Sequence, residues 1–353
     1  MSDAVRAALS TVIEGGTLNR DQAHRAMGAV MDGESTPAQL AALLVALRMR
    51  GETVDELAGF ASAMRERVVP VVAPAGAMDI VGTGGDGSGT FNISTTAAFI
   101  VAAAGVPVAK HGNRAITSRS GSADVLDALG VRIDHDADSA AAALRSVGFA
   151  FLFAPGFHPA MRHAGPTRRE IGVRTAFNLL GPLTNPAGTR RLLVGVGDAV
   201  AAPKLAEVLR LLGTERSLVV HGAGVDELPL DGSGVIHDVT PDGVERREVD
   251  VAALGLAPAE TARLAGGSPA ENAALVDAVL AGTERGPRRD VVLLNAGAAL
   301  IAAGRALDLA EGIAQARDAL DSGAASRLVA RLRAERLAAD AAKGAPAATE
   351  VRA

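Results

Sequence analysis

The chain has 353 residues, of which 48% are hydrophobic and 21% charged, with a formal net charge of -5 at pH 7. A chain this long buries about 75% of its unfolded surface, enough for one large domain or two unequal ones. The negative balance excludes a general attraction for nucleic acid or anionic membrane but leaves room for a local basic site. Cys is absent, which excludes disulfides, thiolate chemistry and Cys-held zinc and fits a reducing compartment. There is no Trp or Tyr and only 8 Phe, so extensive stacking on nucleic acid bases is disfavoured. Gly is frequent, at 40 residues, and points to tight turns and close backbone approaches.

The N-terminus, MSDAVRAALSTVIEGG, carries Asp3 and no long apolar run. It does not read as a secretory signal, and a cytoplasmic location is expected. Asn19 with Gln22, Thr36 with Pro37, and Thr53 with Glu56 mark three helix starts. After the second, Leu40, Leu43, Leu44 and Leu47 share one helical side. Residues 1–67 therefore read as a small helical bundle. VVPVVAPAG, from Val68, is Pro-rich and β-branched and reads as an extended linker.

Strands and helices then alternate. MDIVG, VPVAK, FAFLFAP, RRLLVGVG and RSLVVHG read as strands; STTAAFIVAAAG, GSADVLDALG, DSAAAALRSVG and AAPKLAEVLRLLG read as helices. The fold class expected is α/β: a mostly parallel sheet with helices on both faces, beside the small helical part. GVIHDVTPDG and VERREVDVAAL read as strands joined by a Pro-Asp-Gly turn, adding an antiparallel portion. VVLLNAGAALIAAG (291–304) is too short to span a bilayer and reads as a buried strand followed by a helix. Residues 158–186 interrupt the rhythm with two helical patterns and are expected to complete the small domain. That leaves 73–157 and 187–340 as the α/β domain and 341–353, Ala-rich and weakly patterned, as a frayed tail.

The segment DIVGTGGDGSGTFNISTTAAFI (79–100) is the most informative. A short strand ends at Val81. Gly82, Gly84, Gly85, Gly87 and Gly89 follow, with Asp86 among them, and Asn92, Ser94, Thr95 and Thr96 open a helix. Strand, glycine loop and helix N-terminus together present backbone N–H groups to an anion. No Lys-Ser/Thr follows the glycines, so this is not a Walker loop. A second stretch, VAKHGNRAITSRSGSADVLDALG (108–130), sets Lys110, His111, Arg114 and Arg119 at a strand end among Asn113, Thr117, Ser118, Ser120 and Ser122. Ser120 or Ser122 is the expected cap of the next helix. Cations and hydroxyls at the C-terminal end of a strand suit a multiply charged phosphate ester.

Asp226 and Glu227 lie just beyond another strand end. Adjacent carboxylates on a loop can ligate magnesium, although such a pair alone is more often surface charge. Arg162, Arg168 and Arg169 are candidate ligands for a carboxylate or phosphate. His111 and His221 lie beside the basic and acidic loops.

Taken together, GTGGDGSGTFNIST (82–95), KHGNRAITSRSGSADVLDALG (110–130), RREIGVRTAFNLLGPLTNP (168–186) and HGAGVDEL (221–228) resemble the anthranilate phosphoribosyltransferase family, over about residues 5 to 335. The resemblance implies a homodimer of two-domain subunits with the active site in the interdomain cleft. It implies transfer of the phosphoribosyl group of 5-phosphoribosyl 1-diphosphate (PRPP) to anthranilate, with Mg2+, in tryptophan biosynthesis. Gly82, Gly85, Asp86, Thr90, Asn92, Ile93, Ser94 and Thr95 match the family's diphosphate-sugar loop. Lys110, His111, Gly112, Asn113, Arg114, Ala115, Ile116, Thr117 and Ser118, with Ser122, match its second phosphate-binding stretch. Ser94, Asp226 and Glu227 match the metal ligands; Gly82, Asn113 and Arg168 match contacts to anthranilate. Lys110, Asp226 and Glu227 would stabilise the transition state, and no acid or base is assigned. Pro229 follows Leu228 where many members have Ser or Thr. The alternatives are a pyrimidine-nucleoside phosphorylase-like enzyme, a phosphoribosyltransferase with another aromatic acceptor, and a non-catalytic phosphate or nucleic-acid binder. The acidic pair and the charge balance count against the last.

Overall fold

The computed structural model describes residues 2–115 and 119–344. Four helices come first: α1 (Asp3–Ile13), α2 (Arg20–Met31), α3 (Pro37–Arg50) and α4 (Val54–Arg65). Reciprocal capping boxes at Asn19/Gln22, Thr36/Gln39 and Thr53/Glu56 start the last three, and Pro37 occupies the first turn of α3. Each box satisfies amide donors that a helix start otherwise leaves open. Leu40, Leu43, Leu44 and Leu47 are all buried, as their spacing requires.

The alternating part follows as β1 (Met78–Gly82), α5 (Ile93–Ala103), β2 (Val108–Gly112), α6 (Ser122–Ala128), α7 (Ala137–Ser146) and β3 (Phe149–Phe153). Short helices α8 (Ala154–Phe157), α9 (Gly165–Ile171) and α10 (Phe177–Leu180) lead to β4 (Arg191–Gly195), α11 (Ala201–Leu211), β5 (Arg216–His221), β6 (Val235–Thr240) and β7 (Gly243–Glu248). Helices α12 (Pro269–Leu280), α13 (Pro287–Ala302), α14 (Leu309–Asp321) and α15 (Ala324–Gly344) close the chain. One sheet runs in the order β3-β2-β1-β4-β5-β6-β7, its first five strands parallel and the last two an antiparallel addition. Side chains alternate between two faces. Ile80, Phe149, Phe151 and Leu193 join the core under α5 and α13, while Leu192, Val194 and Val219 join the core under α11.

The strand order reverses direction between β1 and β4, which is where an open parallel sheet leaves a crevice at its C-terminal edge. On the other side of β1 the sheet is split. β1 and β2 are in register only at Met78 and Val108. Polar side chains fill the gap. His111 N–H donates to Asp79 Oδ1 (3.1 Å), and Asn185 Nδ2 donates to Asp79 Oδ2 (2.7 Å) and to Ala109 O (2.8 Å). Lys110 Nζ donates to Ile80 O. Backbone groups that lose a strand partner must find another when buried.

Residues 158–186 pack back on the first helices, α9 against α3 and α10 against α4. Ala164, Phe177, Leu180 and Leu183 share one apolar cluster with α1–α4 and with the α11 face of the sheet.

Two expectations are corrected. Residues 291–304 contain no strand: α13 is one helix of 16 residues, and Val291 through Ala302 are all buried. It has no polar face, and an all-round apolar run carries no period that tells a strand from a helix. Neither Ser120 nor Ser122 caps α6. Gly121 is the N-cap, and Asp124 Oδ2 accepts from Gly121 N–H (3.0 Å) and Ala115 N–H (2.8 Å). Helix α15 continues through Gly344, and the rest of the expected tail, 345–353, lies outside the described residues. Among the described residues no helix is long and apolar enough to cross a membrane.

Asn295, 0% exposed in the middle of α13, ties this core to the acidic loop. Its Oδ1 accepts from Leu228 N–H (2.9 Å) and its Nδ2 donates to Leu228 O (3.0 Å). Replacing it with Leu would leave both Leu228 groups buried and unpaired. Asn295→Leu is expected to lower the unfolding free energy by about 2–5 kcal/mol, read from urea denaturation. A change under about 0.5 kcal/mol, the range of an ordinary surface substitution, would show that the clamp does not matter.

Candidate active site

The crevice at the ends of β1 and β4 is roofed by the loop after β5. Two glycines make that possible. A Cβ at Gly195 would collide with the Asp226 carbonyl oxygen, and one at Gly82 would collide with Asp226 Oδ2. Only the missing side chains let the loop cross both strand ends. Asp226 Oδ2 accepts from Gly84 N–H (2.7 Å), and Asp226 N–H donates to Asp86 Oδ2 (3.3 Å). The glycine loop and the acidic loop, far apart in sequence, are thus directly bonded.

The charges there are out of balance. Burial first, then the Asp86 carboxylate, pushes the Asp226 carboxyl up to about 7. Burial and Asp226 hold Glu227 well above the usual carboxylate range, with Lys110 acting in the opposite sense. Lys110 is 2% exposed. Burial lowers its pKa, opposed by Asp79, Glu227 and Asp226. Its ammonium donates to Ile80 O and not to a carboxylate.

Half-buried Asp226 and buried Glu227, with no cation in contact among the described residues, suit a hard divalent ion. Among the described residues no group of three or more His, Asp or Glu could hold a metal by itself. The pair fits magnesium on chemical grounds, since that ion commonly takes one or two carboxylates and completes its shell with water and substrate phosphates.

Helix α5 begins beside the pair. Asn92 is its N-cap, but its side chain does not cap. It bonds instead to Ser120 and to Asn272 Nδ2 (3.0 Å). The Ser94 backbone amide acts on the Glu227 carboxyl in the lowering sense. Thr95 Oγ1 is buried with no hydrogen-bond partner among the described residues. Ile93 is buried in the core, so only its backbone faces the site. Thr90 bonds Ser88 through its hydroxyl (3.2 Å), and Gly85 is exposed in a left-handed conformation, φ 65°.

The second stretch is divided. Lys110, His111 and Gly112 belong to β2, and Gly112 abuts the Ser122 hydroxyl. Asn113 is exposed, with its carbonyl accepting from Ser122 Oγ (3.4 Å). The Arg114 guanidinium faces α6 instead, paired with Asp124 (2.9 Å) and Asp127 (3.4 Å). Ile116, Thr117 and Ser118 lie outside the described residues.

Arg168 lies on α9 with its guanidinium 4.7 Å from the Phe177 ring centroid, and burial lowers its pKa. It forms no ion pair within the described residues, leaving its fork free for an incoming carboxylate. Gly82, Asn113 and Arg168 make no hydrogen bonds to one another. Arg162 bonds to His163 (3.2 Å), and Arg169 is exposed.

Sequence reasoning missed several participants. Asp79 was legible as a lone charge between Met78 and Ile80. Asn185, Asn295 and His158 carried no such signal. Arg174, which donates to Gly84 O (2.8 Å) and Gly85 O (2.6 Å), was hidden among neighbouring arginines.

Two family models match the chain: the helical bundle domain of a glycosyl transferase family over residues 6–68 and its a/b domain over 75–326. An anthranilate phosphoribosyltransferase of Roseiflexus sp. (strain RS-1) is 54% identical over 330 residues, 93% of this chain and 97% of that protein. A crystal structure of the Thermus thermophilus anthranilate phosphoribosyltransferase superposes with a TM-score of 0.89 at 48% identity, over 95% of this chain and 100% of that one. The Saccharomyces cerevisiae enzyme, solved in complex with PRPP and Mg, gives 0.87 at 26% identity over 96% and 99%.

His111 and His158 form a buried pair, Nε2 to Nε2 at 3.1 Å, with His111 Nδ1 3.3 Å from Gly181 O. Burial lowers them to about 3 and about 4. Both fall below the unfolded value of about 6.5, so the neutral pair's contribution is complete above that pH and is lost as pH falls toward 4. Melting temperature is expected to drop over this range, and His158→Gln is expected to flatten the drop. An unchanged slope in the variant would place the titration elsewhere.

Proposed function

The chain belongs to the anthranilate phosphoribosyltransferase family, and we propose that the crevice between β1 and β4 is where it transfers the 5-phosphoribosyl group of PRPP to the amine of anthranilate. The products are N-(5-phosphoribosyl)anthranilate and diphosphate, in tryptophan biosynthesis. The observation that carries the reading is the bond between Asp226 and Gly84, which sets the acidic pair and the glycine loop around one space. Relatives about half identical over nearly the whole chain weigh against the phosphorylase-like alternative.

In this reading Gly82, Gly85, Asp86, Thr90, Asn92, Ser94 and Thr95 surround the diphosphate and sugar, with the Ile93 backbone. Lys110 to Ala115 and Ser122 flank them, Arg114 contributing its backbone because its guanidinium is committed to α6. Asp226, Glu227 and Ser94 would hold magnesium, which when bound supplies positive charge to the leaving diphosphate. Breaking the C1–O bond leaves negative charge on diphosphate and positive character on the sugar. Backbone N–H groups and Lys110 meet the negative charge. The anthranilate amine is neutral at pH 7 and attacks without strong activation. Its carboxylate is placed by Arg168 and Asn113, so that orientation supplies much of the rate.

Residues 158–186 complete the 1–67 bundle as one small domain; their packing on α3 and α4 supports this. We assign the chain to a cytoplasmic homodimer, with exposed Ile13 (67%) on α1 and Met49 (84%) on α3 supplying apolar surface.

The direct test follows loss of anthranilate fluorescence with PRPP and magnesium. Wild-type protein is expected to turn over, and inactivity would refute the reading. Arg168→Ala is expected to lower kcat/KM for anthranilate about 10- to 100-fold, the worth of a charged hydrogen bond, with the KM for PRPP nearly unchanged. Unaltered efficiency would remove Arg168 from the acceptor site.

A further inference from the structure

We infer that Arg174 is a positioning residue that sets the direction of the anion-binding amides of the glycine loop. The inference rests on the diphosphate reading of that loop and concerns a residue outside the set assigned above. Arg174 lies between α9 and α10, and its Nη1 donates to Gly84 O (2.8 Å) and Gly85 O (2.6 Å). It forms no ion pair within the described residues. Its charge is directed at two consecutive backbone carbonyls.

A planar trans peptide points its C=O and its N–H in opposite directions. Fixing the carbonyls of Gly84 and Gly85 toward Arg174 therefore turns the N–H groups of Gly85 and Asp86 to the other side. Neither N–H has a hydrogen-bond partner among the described residues. Gly84 and Gly85 both adopt left-handed backbone, φ 66° and 65°. Successive unpaired amides of a turn that face one side can seat an anion. Two glycines have no side chains to hold their peptide planes, and each samples many orientations when free. A brace from outside the loop is what fixes them.

The loop is held from two sides. Asp226, from the loop after β5, takes the Gly84 N–H; Arg174, from the helical segment, takes the carbonyls. A cation on the carbonyl side also polarises each peptide and strengthens its N–H as a donor. The segment that carries Arg168 thereby shapes the loop that receives the donor substrate.

The test uses the full chain and the variants Arg174→Ala and Arg174→Lys, with two readouts. Hydrogen exchange of the ligand-free protein reports the brace independently of any reaction: the bonded amides of Thr83, which donates to Gly195 O (2.9 Å), and Gly84 are expected to exchange about tenfold faster in Arg174→Ala. Calorimetric titration with magnesium and inorganic diphosphate is expected to show about tenfold weaker binding, with the KM for PRPP rising in parallel and the KM for anthranilate within about twofold. Arg174→Lys, which can still donate to a carbonyl, is expected to recover most of both effects. Unchanged exchange in ligand-free Arg174→Ala would overturn the inference, even with weaker diphosphate binding, because a direct phosphate ligand would give that pattern. Unchanged diphosphate affinity would overturn it as well. Wild-type protein that braces its loop and binds diphosphate but fails to turn over anthranilate would count against the proposed reaction and not against Arg174.

Discussion

Two carboxylates, half-buried Asp226 and buried Glu227, lie side by side over the ends of two strands, and much of the surrounding structure exists to keep them there. Burying one ionised carboxylate is costly, and burying two adjacent ones more so. Gly82 and Gly195 give up their side chains so that the loop fits. Asn295 fixes the next residue, and the Gly84 amide takes one carboxylate oxygen. Lys110 offsets the charge only partly, since its own burial works against it. An arrangement so strained by its own charge makes sense when a cation and an anion complete it.

The split between β1 and β2 serves the same end. A fully paired strand would close the space into which Lys110 projects. Asp79 and Asn185 replace the missing ladder bonds, so the sheet parts without leaving buried groups unmet. The helical part is not a loose attachment, because its apolar cluster runs without interruption onto the α11 face of the sheet. Arg174 adds a polar link from that side to the glycine loop.

Much of this was legible in the chain because it is local. Capping boxes at Asn19, Thr36 and Thr53 declare helix starts within four residues, and the glycine cluster after Val81 declares a loop that must bend closely. The acidic pair was visible but ambiguous, since its meaning depends on burial that spacing does not encode. Helix α13 was misread in part because a segment buried on all sides shows no period. Arg114 and Arg174 have the same chemistry in sequence, yet one faces the acids of α6 and the other the glycine carbonyls. Tertiary placement alone separates them.

In the proposed reading, Asp226 and Glu227 destabilise the ligand-free protein and would be satisfied when magnesium and diphosphate arrive together. Raised carboxylate pKa values mean that the ionised forms cost the folded state stability at higher pH. The most direct measurement is the melting temperature at about pH 8, above the pKa of about 7 reached by Asp226, taken with magnesium alone, diphosphate alone and both. Both together are expected to give a shift that exceeds the sum of the separate shifts. Asp226→Asn with Glu227→Gln is expected to melt higher than wild type without ligands and to lose the excess. A double variant that keeps the full excess would show that these carboxylates are not what magnesium and diphosphate satisfy.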